Sequence, residues 1–193
     1  MADYIVNRVF NSITYILPVG SQHDCWLVDC GDVEKIIAQG WNVLGVLLTH
    51  SHTDHIYGLN KLIETFPDAL VYTNAEGAMG LQNPKWNFSH YHDDVEDFVL
   101  ARPENVRVIK NEGLLDLGDI QVEVLFVSGH EPSCVAFRVG NDLYTGDAYI
   151  PGVKVITTFP RSKKQQAEES LARLQELERS GLYIWSGHCI EEL

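Results

Sequence analysis

The pattern of apolar and polar residues predicts a chain in which short strands alternate with single helices. Residues 43–48 form a run that is apolar throughout, as expected for a strand buried on both faces. A helix over about residues 55–65 and a strand over residues 69–73 follow it and complete a strand–helix–strand unit. Runs rich in Ile, Val, Tyr and Phe predict three earlier strands, at residues 4–10, 14–19 and 25–29.

The second half of the chain is again rich in strands and ends with one long helix. The predicted strands lie at residues 106–109, 120–127, 135–139, 143–145 and 183–185. Ser162 is expected to cap a helix that runs to about Ser180. Its apolar face is formed by Ala167, Leu171, Leu174 and Leu177. This alternation is typical of two packed sheets with helices on the outside.

Residues 81–104 interrupt the pattern. The stretch contains Trp86, Phe88 and Tyr91, followed by an acidic run over residues 93–97. We interpret it as a long, partly helical insertion over one end of the fold. Loops of this length are more often functional than accidental, so Tyr91 is a candidate for substrate contact.

The composition suits one domain over residues 1–193. Hydrophobic residues make up 45% of the chain, and its 193 residues match the usual domain size of roughly 100–200. Fourteen basic against 27 acidic residues give a net charge of −13. Such a surface repels phosphate backbones and anionic headgroups, so we expect neither nucleic-acid nor membrane partners.

The sequence also predicts a cytoplasmic location. The first eight residues lack the basic start and the apolar stretch of a signal peptide. The longest apolar run, residues 43–48, is far shorter than the roughly 20 residues that span a bilayer. The four cysteines form no C-x-x-C pair and no dense framework, as expected for free thiols in a reducing compartment.

The segment that follows the buried strand carries the clearest chemistry. His50 and His52 are two residues apart in extended chain, so their side chains point to the same side. Asp54 and His55 then enter a first helical turn and can approach the same point from another direction. Imidazoles and carboxylates are ligands that suit zinc, iron or manganese. The pattern H-x-H-x-D-H therefore predicts a metal site.

Three later strands each run into a glycine and then into a residue able to bind metal. These pairs are Gly129-His130, Gly146-Asp147 and Gly187-His188. A glycine at such a point allows a sharp turn and a close approach of the backbone. Ligands delivered by strand ends to one edge are held by a rigid scaffold.

With these four motifs in this order, the sequence resembles the metallo-β-lactamase-fold superfamily, and in particular its glyoxalase II-like small hydrolases. The segment 27–31 (LVDCG) is similar to the early aspartate-and-glycine motif of that family. The resemblance covers essentially the whole chain. It implies an α+β fold, an αββα sandwich of two mixed β-sheets flanked by helices, with a binuclear metal site at one edge.

The resemblance also implies the ligand sets. The first metal would be held by His50, His52 and His130, and the second by Asp54, His55 and His188, with Asp147 bridging both. Asp29 would orient a ligand histidine from behind. Zinc is the expected metal, with iron or manganese as alternatives.

The activity implied is metal-assisted hydrolysis. Two divalent ions would hold a bridging hydroxide at neutral pH, and Asp54 would orient it and take up its proton as the catalytic residue. The substrate would be a small ester-like molecule, that is a thioester, a lactone or a phosphodiester. Tyr149, two residues past Asp147, is a second candidate for substrate contact.

Two other functions stay open on the sequence alone. In the persulfide dioxygenase branch of the family, the same motifs hold one iron through two histidines and an aspartate, which would make the protein an oxidoreductase. A metal-binding module without catalysis is the third possibility. The full set of ligands makes this third possibility the least favoured, and the hydrolase is our first hypothesis.

Overall fold

The computed structural model describes residues 3–20, 23–93, 95–118 and 120–189. The first sheet contains β1 (Asp3–Val6), β2 (Ile13–Val19), β3 (Asp24–Val28), β4 (Asn42–Leu47), β5 (Leu70–Thr73) and β6 (Val106–Val108). The second sheet contains β7 (Gly113–Asp116), β8 (Gln121–Phe126), β9 (Val135–Val139), β10 (Asp142–Gly146) and β11 (Tyr183–Ser186). The helices are α1 (Val33–Ala38), α2 (Leu59–Thr65), α3 (Ala75–Gly80) and α4 (Lys164–Arg179).

Both sheets mix parallel and antiparallel pairs. In the first sheet the order is β1-β2-β3-β4-β5-β6, with antiparallel pairs up to β3 and parallel pairs beyond it. In the second sheet the order is β11-β10-β9-β8-β7, and the pair β10–β11 is parallel. Because β3, β4 and β5 run parallel to one another, their carboxyl-terminal ends lie at the same edge of the sheet.

Three apolar layers fix the order helix, sheet, sheet, helix. Between the sheets, alternate residues of β2 (Ile13, Tyr15, Leu17 and Val19) pack against β8, β9 and β10. The other face of the first sheet packs against α1 and α2 through residues such as Ile36 and Leu62. The far face of the second sheet packs against α4 through Leu174. The predicted α+β architecture of two mixed sheets flanked by helices is confirmed.

Three predicted boundaries differ from the structure. The strand expected over residues 4–10 ends at Val6, because Phe10 and Asn11 lie in a turn with positive φ angles of 53° and 52°. The helix expected from about residue 55 begins at Leu59, after a 3-10 turn at Thr53–His55. The cap expected at Ser162 was wrong. Lys163 occupies that position, while the Ser162 hydroxyl donates to the carbonyl of His130 (2.6 Å).

Two elements had no clear sequence signal. Helix α3 is capped by Asn74, whose side-chain oxygen accepts from the backbone of Gly77 (2.8 Å). Strand β7 is an exposed edge strand, and Leu114 on it is 77% exposed, so no buried face marks it in the sequence. In segment 81–104, 3-10 turns at Ser89–Tyr91 and Pro103–Asn105 are the helical parts of the described residues.

None of the helices in the described ranges is long and apolar enough to cross a membrane.

Leu174→Ala tests the outer apolar layer. The side chain is fully buried between α4 and the second sheet, so its truncation leaves a cavity there. We expect the free energy of unfolding in urea to fall by about 2–5 kcal/mol. Glu176→Ala on the exposed side of the same helix is the matched control and should change it by less than about 0.5 kcal/mol. Equal effects of the two changes would contradict this packing.

Candidate metal centre

The four motifs meet at one edge of the sandwich. His50 and His52 follow β4, and the 3-10 turn that comes next presents Asp54 and His55. The later ligand candidates follow the strands of the second sheet: His130 after β8, Asp147 after β10 and His188 after β11. All seven side chains are at least 87% removed from solvent. The structure thus brings together every metal-ligand candidate from the sequence.

The seven side chains form three overlapping groups. In each group the possible ligand atoms lie within 4.8 Å of one another, and the groups are His50/His52/His130, His50/His55/Asp147 and Asp54/His55/His188. Asp147 lies between the outer two groups. Its Oδ2 is 3.6 Å from His130 Nε2 and 3.3 Å from His188 Nε2, and its Oδ1 is 3.5 Å from His55 Nε2.

The outer nitrogen of several rings is fixed by a neighbour that can only accept a hydrogen bond. His55 Nδ1 donates to the Asp29 carboxylate (2.8 Å), and the corresponding nitrogens of His130 and His188 donate to the carbonyls of Ile156 and Phe10 (2.9 Å each). Because Nδ1 keeps its proton, Nε2 is the nitrogen of each ring that can present a lone pair to a metal once it is deprotonated. This arrangement is typical of metal-ligating histidines.

His50 is oriented by a relay through Thr49. The Thr49 hydroxyl donates to Asp29 Oδ2 (2.8 Å) and is therefore free to accept from His50 Nδ1 (3.1 Å). Asp29 also accepts from the backbone of Thr49 (2.7 Å), and it holds a left-handed backbone conformation with φ at 61°. One carboxylate thus contacts one ring of the cluster directly and a second ring through Thr49.

Several polar atoms of the cluster are buried without a hydrogen-bond partner in the described residues. They are His50 Nε2, His52 Nε2 and Asp147 Oδ1. A buried acceptor left unpaired costs about 1–3 kcal/mol, so such atoms are seldom concentrated in one place without a reason. His50 Nε2 and Asp147 Oδ1 belong to the same group of possible ligand atoms, and His52 faces His130 Nε2 through its other nitrogen, Nδ1 (3.2 Å), so the cluster fits a divalent cation. The donor set is one that zinc, iron and manganese accept.

The charges of the cluster are strongly coupled. Burial holds the pKa of His50 well below its ordinary value and lowers that of His52 to about 3, so both rings are neutral. Burial alone would raise the pKa of Asp54, but His55 and His188 outweigh it and hold that pKa well below the ordinary range. Burial likewise opposes charge on His188, yet Asp147 and Asp54 raise its pKa to about 10.

The glycine before His188 is required by close packing. A Cβ on Gly187 would overlap with Asp147 Oδ1 and would lie 2.9 Å from His55 Cε1. Its backbone nitrogen also donates to the carbonyl of Gly146 (2.9 Å), which ties the ends of β10 and β11 together. The Gly-before-ligand motif therefore has a steric basis at this position.

A cavity of about 530 Å³ opens over the cluster. Tyr91, one of the two predicted substrate contacts, lines it. The structure places Tyr149 elsewhere, because its side chain is buried in the layer under α4 and its hydroxyl donates to Glu178 (2.7 Å). The position of Tyr149 next to the end of β10 gave no information on the direction of its side chain.

A buried ion pair lies beside His130. The sequence did not predict it, because it shows only the two charged residues and not their contact. Glu131 is 1% exposed, and its carboxylate accepts from the backbone of Ser133 (2.6 Å) and pairs with Arg161 (3.0 Å). Arg161 also pairs with Glu76 and stacks over Trp86 at 4.2 Å. Arg161 thus joins the loop after β8 to α3 and to segment 81–104.

Comparisons with known proteins agree with this geometry. The family model described as the metallo-beta-lactamase superfamily matches residues 14–186. A hydroxyacylglutathione hydrolase from Blochmanniella pennsylvanica (strain BPEN) is 28% identical over 174 residues, which is 86% of this chain and 58% of that protein. The chain therefore spans less than two thirds of the length of this relative.

Two solved structures share the fold. The BLEG-1 B3 metallo-beta-lactamase superposes with a TM-score of 0.85 at 23% identity, covering 98% of this chain and 92% of that one. The protein TTHA1623, solved in a di-iron-bound form, superposes with a TM-score of 0.79 at 25% identity, covering 97% and 92%. These likenesses confirm the fold class expected from the sequence.

Arg161→Met tests the ion pair beside His130. The change leaves the Glu131 carboxylate buried without its charge partner, so we expect the free energy of unfolding to fall by about 3 kcal/mol. Arg138→Met is the matched control, since Arg138 pairs with Glu123 at the same 3.0 Å but on the surface. The control should lose less than about 1 kcal/mol. Urea unfolding measures both, and equal losses would contradict a structural role for Arg161.

Proposed function

The chain belongs to the metallo-β-lactamase superfamily, and from this premise we propose that it is a metal-dependent hydrolase of a small ester-like substrate. The observation that carries the proposal is the orientation of the histidines. Carbonyl or carboxylate acceptors hold His55, His130 and His188 from behind, so that their Nε2 atoms converge on Asp147. Such an arrangement holds a cation in place before any substrate arrives.

The outer two of the three groups of side chains support the ligand sets that the family resemblance implies. His50, His52 and His130 would hold one divalent ion, and Asp54, His55 and His188 a second, with Asp147 shared between them. Zinc is our proposal for both, and iron or manganese would fit the same donors. Bound divalent ions supply Lewis acidity and lower the pKa of water at the site toward neutral.

Asp54 is the proposed catalytic residue. Its Oδ2 lies 3.3 Å from both His55 Nε2 and His188 Nε2, and its side chain lines the cavity. The two rings keep the carboxylate ionised, because they hold its pKa well below the ordinary value. An ionised carboxylate at the cavity floor can orient the attacking water through a hydrogen bond and accept its proton at Oδ1, since Oδ2 faces the two rings with which it would hold the second ion.

A small-molecule substrate suits the cavity, since pockets for such ligands usually measure roughly 300–1,000 Å³. We propose a thioester, a lactone or a phosphodiester as the substrate class. The hydroxyacylglutathione hydrolase relative supports the first of these, because its name describes cleavage of a glutathione thioester.

We also propose a cytoplasmic protein with one domain over residues 1–193. The four cysteines are free thiols, and Cys25, Cys30 and Cys134 are buried, which suits a reducing compartment. The apolar layer between the two sheets draws on strands from both halves of the chain, which supports one domain.

Metal content is the first test. We expect protein purified without a nickel column to contain about two zinc, manganese or iron ions per chain by mass spectrometry. The loaded protein should hydrolyse at least one member of a panel containing a thioester, a lactone, p-nitrophenyl acetate and bis(p-nitrophenyl) phosphate. A chelator should abolish this activity and added metal should restore it. One iron per chain with oxygen consumption on glutathione persulfide would favour the oxidoreductase instead, and bound metal without any turnover would favour a binding module.

Gly187→Ala tests the proposed ligand geometry without removing a ligand. The added methyl group would displace the Asp147 carboxylate and the His55 ring, so we expect metal affinity to fall about 10- to 100-fold. Competition with a chromophoric chelator measures the affinity, and far-UV circular dichroism checks the fold.

Gly140→Ala is the control for this change. Gly140 has a φ of 60° and open space around its Cβ position, so the substitution introduces backbone strain away from the cluster. Its metal affinity should match that of the wild type. Unchanged affinity in Gly187→Ala would mean that Asp147 is not a ligand.

A further inference from the structure

The cavity over the cluster has two chemically different sides. Its floor is polar and consists of cluster side chains, namely His52, Asp54, His130, Asp147 and His188, together with Thr53. Its walls are Phe10, Phe88, Tyr91, His92, Ile156 and Phe159. These wall residues come from three separate parts of the chain: the turn after β1, segment 81–104 and the loop before α4.

The apolar wall begins directly at the proposed metal ligands. The Phe159 ring lies 5.2 Å from the His52 ring and 5.5 Å from the His130 ring, measured between centroids. Phe88 lies 4.9 Å from both His52 and Phe159. A group bonded to a reacting carbon at the cluster would therefore lie against these two phenyl rings.

The wall is held in place by the backbone beneath it. Phe88 adopts a left-handed conformation (φ 65°), which is costly for a bulky residue and persists only where the surroundings impose it. The buried Asn87 side chain imposes it by donating to the carbonyls of Gly80 and Phe98 (3.0 Å each) and accepting from the backbone of Ser89 (3.0 Å). Strain of this kind is often found where a ligand is clamped.

The rim of the cavity exposes apolar surface to solvent. Phe10 is 48% exposed, Tyr91 61% and Ile156 51%. Clustered exposed apolar side chains around a concave site are a mark of ligand binding.

The cavity offers no lysine or arginine to a charged group that lies away from the proposed metal ions. Neither residue type is among the described residues that line it. Arg161, the basic residue nearest in sequence to Phe159, is engaged by Glu76, Glu131 and Trp86. Lys154 is exposed and lines a second, smaller space that shares His130, Asp147 and Ile156 with the main cavity. A carboxylate on an acyl group that lies against the apolar wall would therefore lose its hydration without a protein charge in return.

These observations narrow the class of substrates that the cavity can accept. The inference rests on the proposed hydrolase function. We propose that the enzyme acts on a neutral carboxylic ester, thioester or lactone whose acyl group is apolar and lies against Phe88 and Phe159. Water adds to the acyl carbon, the bond from that carbon to oxygen or sulfur breaks, and the products are a carboxylic acid and an alcohol or thiol. Substrates with a charged acyl group are excluded by this proposal.

A matched series of p-nitrophenyl esters tests the proposal on the metal-loaded full chain. From acetate to butanoate to pentanoate, we expect kcat/KM to rise roughly two- to fourfold per added methylene. This is the gain expected when each CH₂ group is buried in an apolar site. The mono-p-nitrophenyl ester of glutarate has an acyl chain of the same length as pentanoate but ends in a carboxylate. It should react at least tenfold less efficiently than pentanoate.

Wall variants link the preference to the named residues. Phe88→Ala and Phe159→Ala should each lower the pentanoate-to-acetate ratio of kcat/KM at least fivefold, while Phe88→Leu and Phe159→Leu should keep most of it. Leu114→Ala, which removes an exposed apolar side chain from the edge strand β7, is the control and should leave the ratio unchanged.

A binding measurement separates this proposal from the proposed function. Octan-2-one is neutral and is not hydrolysed, and calorimetry should show that it binds the loaded wild type and binds Phe159→Ala at least fivefold more weakly. Binding of this ketone with no ester turnover would support the apolar pocket and overturn the hydrolase. If kcat/KM does not change with the length of the acyl chain, or is as high for glutarate as for pentanoate, the proposal of an apolar acyl group is overturned. The proposed hydrolase function would then still be supported by the ester turnover.

Discussion

The buried carboxylate of Asp29 is the interaction on which the rest of the site depends. It accepts hydrogen bonds from His55 Nδ1 and from both the backbone and the hydroxyl of Thr49, and that hydroxyl in turn orients His50. Burial raises the pKa of Asp29, and the contact with His55 opposes that rise. The hydrogen bonds from His55 and Thr49 thus offset part of the cost of burying the Asp29 carboxylate. It joins the end of β3 to the end of β4 and to the turn that carries Asp54.

A second layer of contacts fixes the parts of the site that come from loops. Arg161 joins Glu131, Glu76 and Trp86, so the loop that carries His130 is tied to α3 and to segment 81–104. Asn87 then sets the backbone on either side of Phe88. Asp29 therefore holds His50 and His55, while the contacts of Arg161 hold the loop that carries His130 together with segment 81–104. Substitutions in the wall can change substrate preference while the ligand geometry is retained.

The strands and ligand candidates were predictable because strong local signals mark them. The run over residues 43–48 is apolar throughout, and the residues after it share the side of the chain required for a common ligand. The elements that escaped prediction lack such a signal. Strand β7 is a short edge strand without a fully buried residue, and the left-handed turn at Phe10 and Asn11 shortens β1 although the sequence there is rich in apolar residues. Ser162 precedes a helix as a capping residue would, but the carbonyl of His130 competes for its hydroxyl.

The sequence by itself determined the fold class, the family and the set of side chains that can meet at a metal centre. It did so because strand ends followed by glycine and a ligand place those ligands at one edge whatever the loops do. Only the tertiary structure decided which nitrogen of each histidine faces the centre, that Tyr149 packs under α4, and that Phe159 and Phe88 form the wall of the cavity. Those outcomes depend on contacts between residues far apart in the chain, such as His130 with Ile156 and Arg161 with Glu76. No periodic pattern within one segment records contacts of that kind.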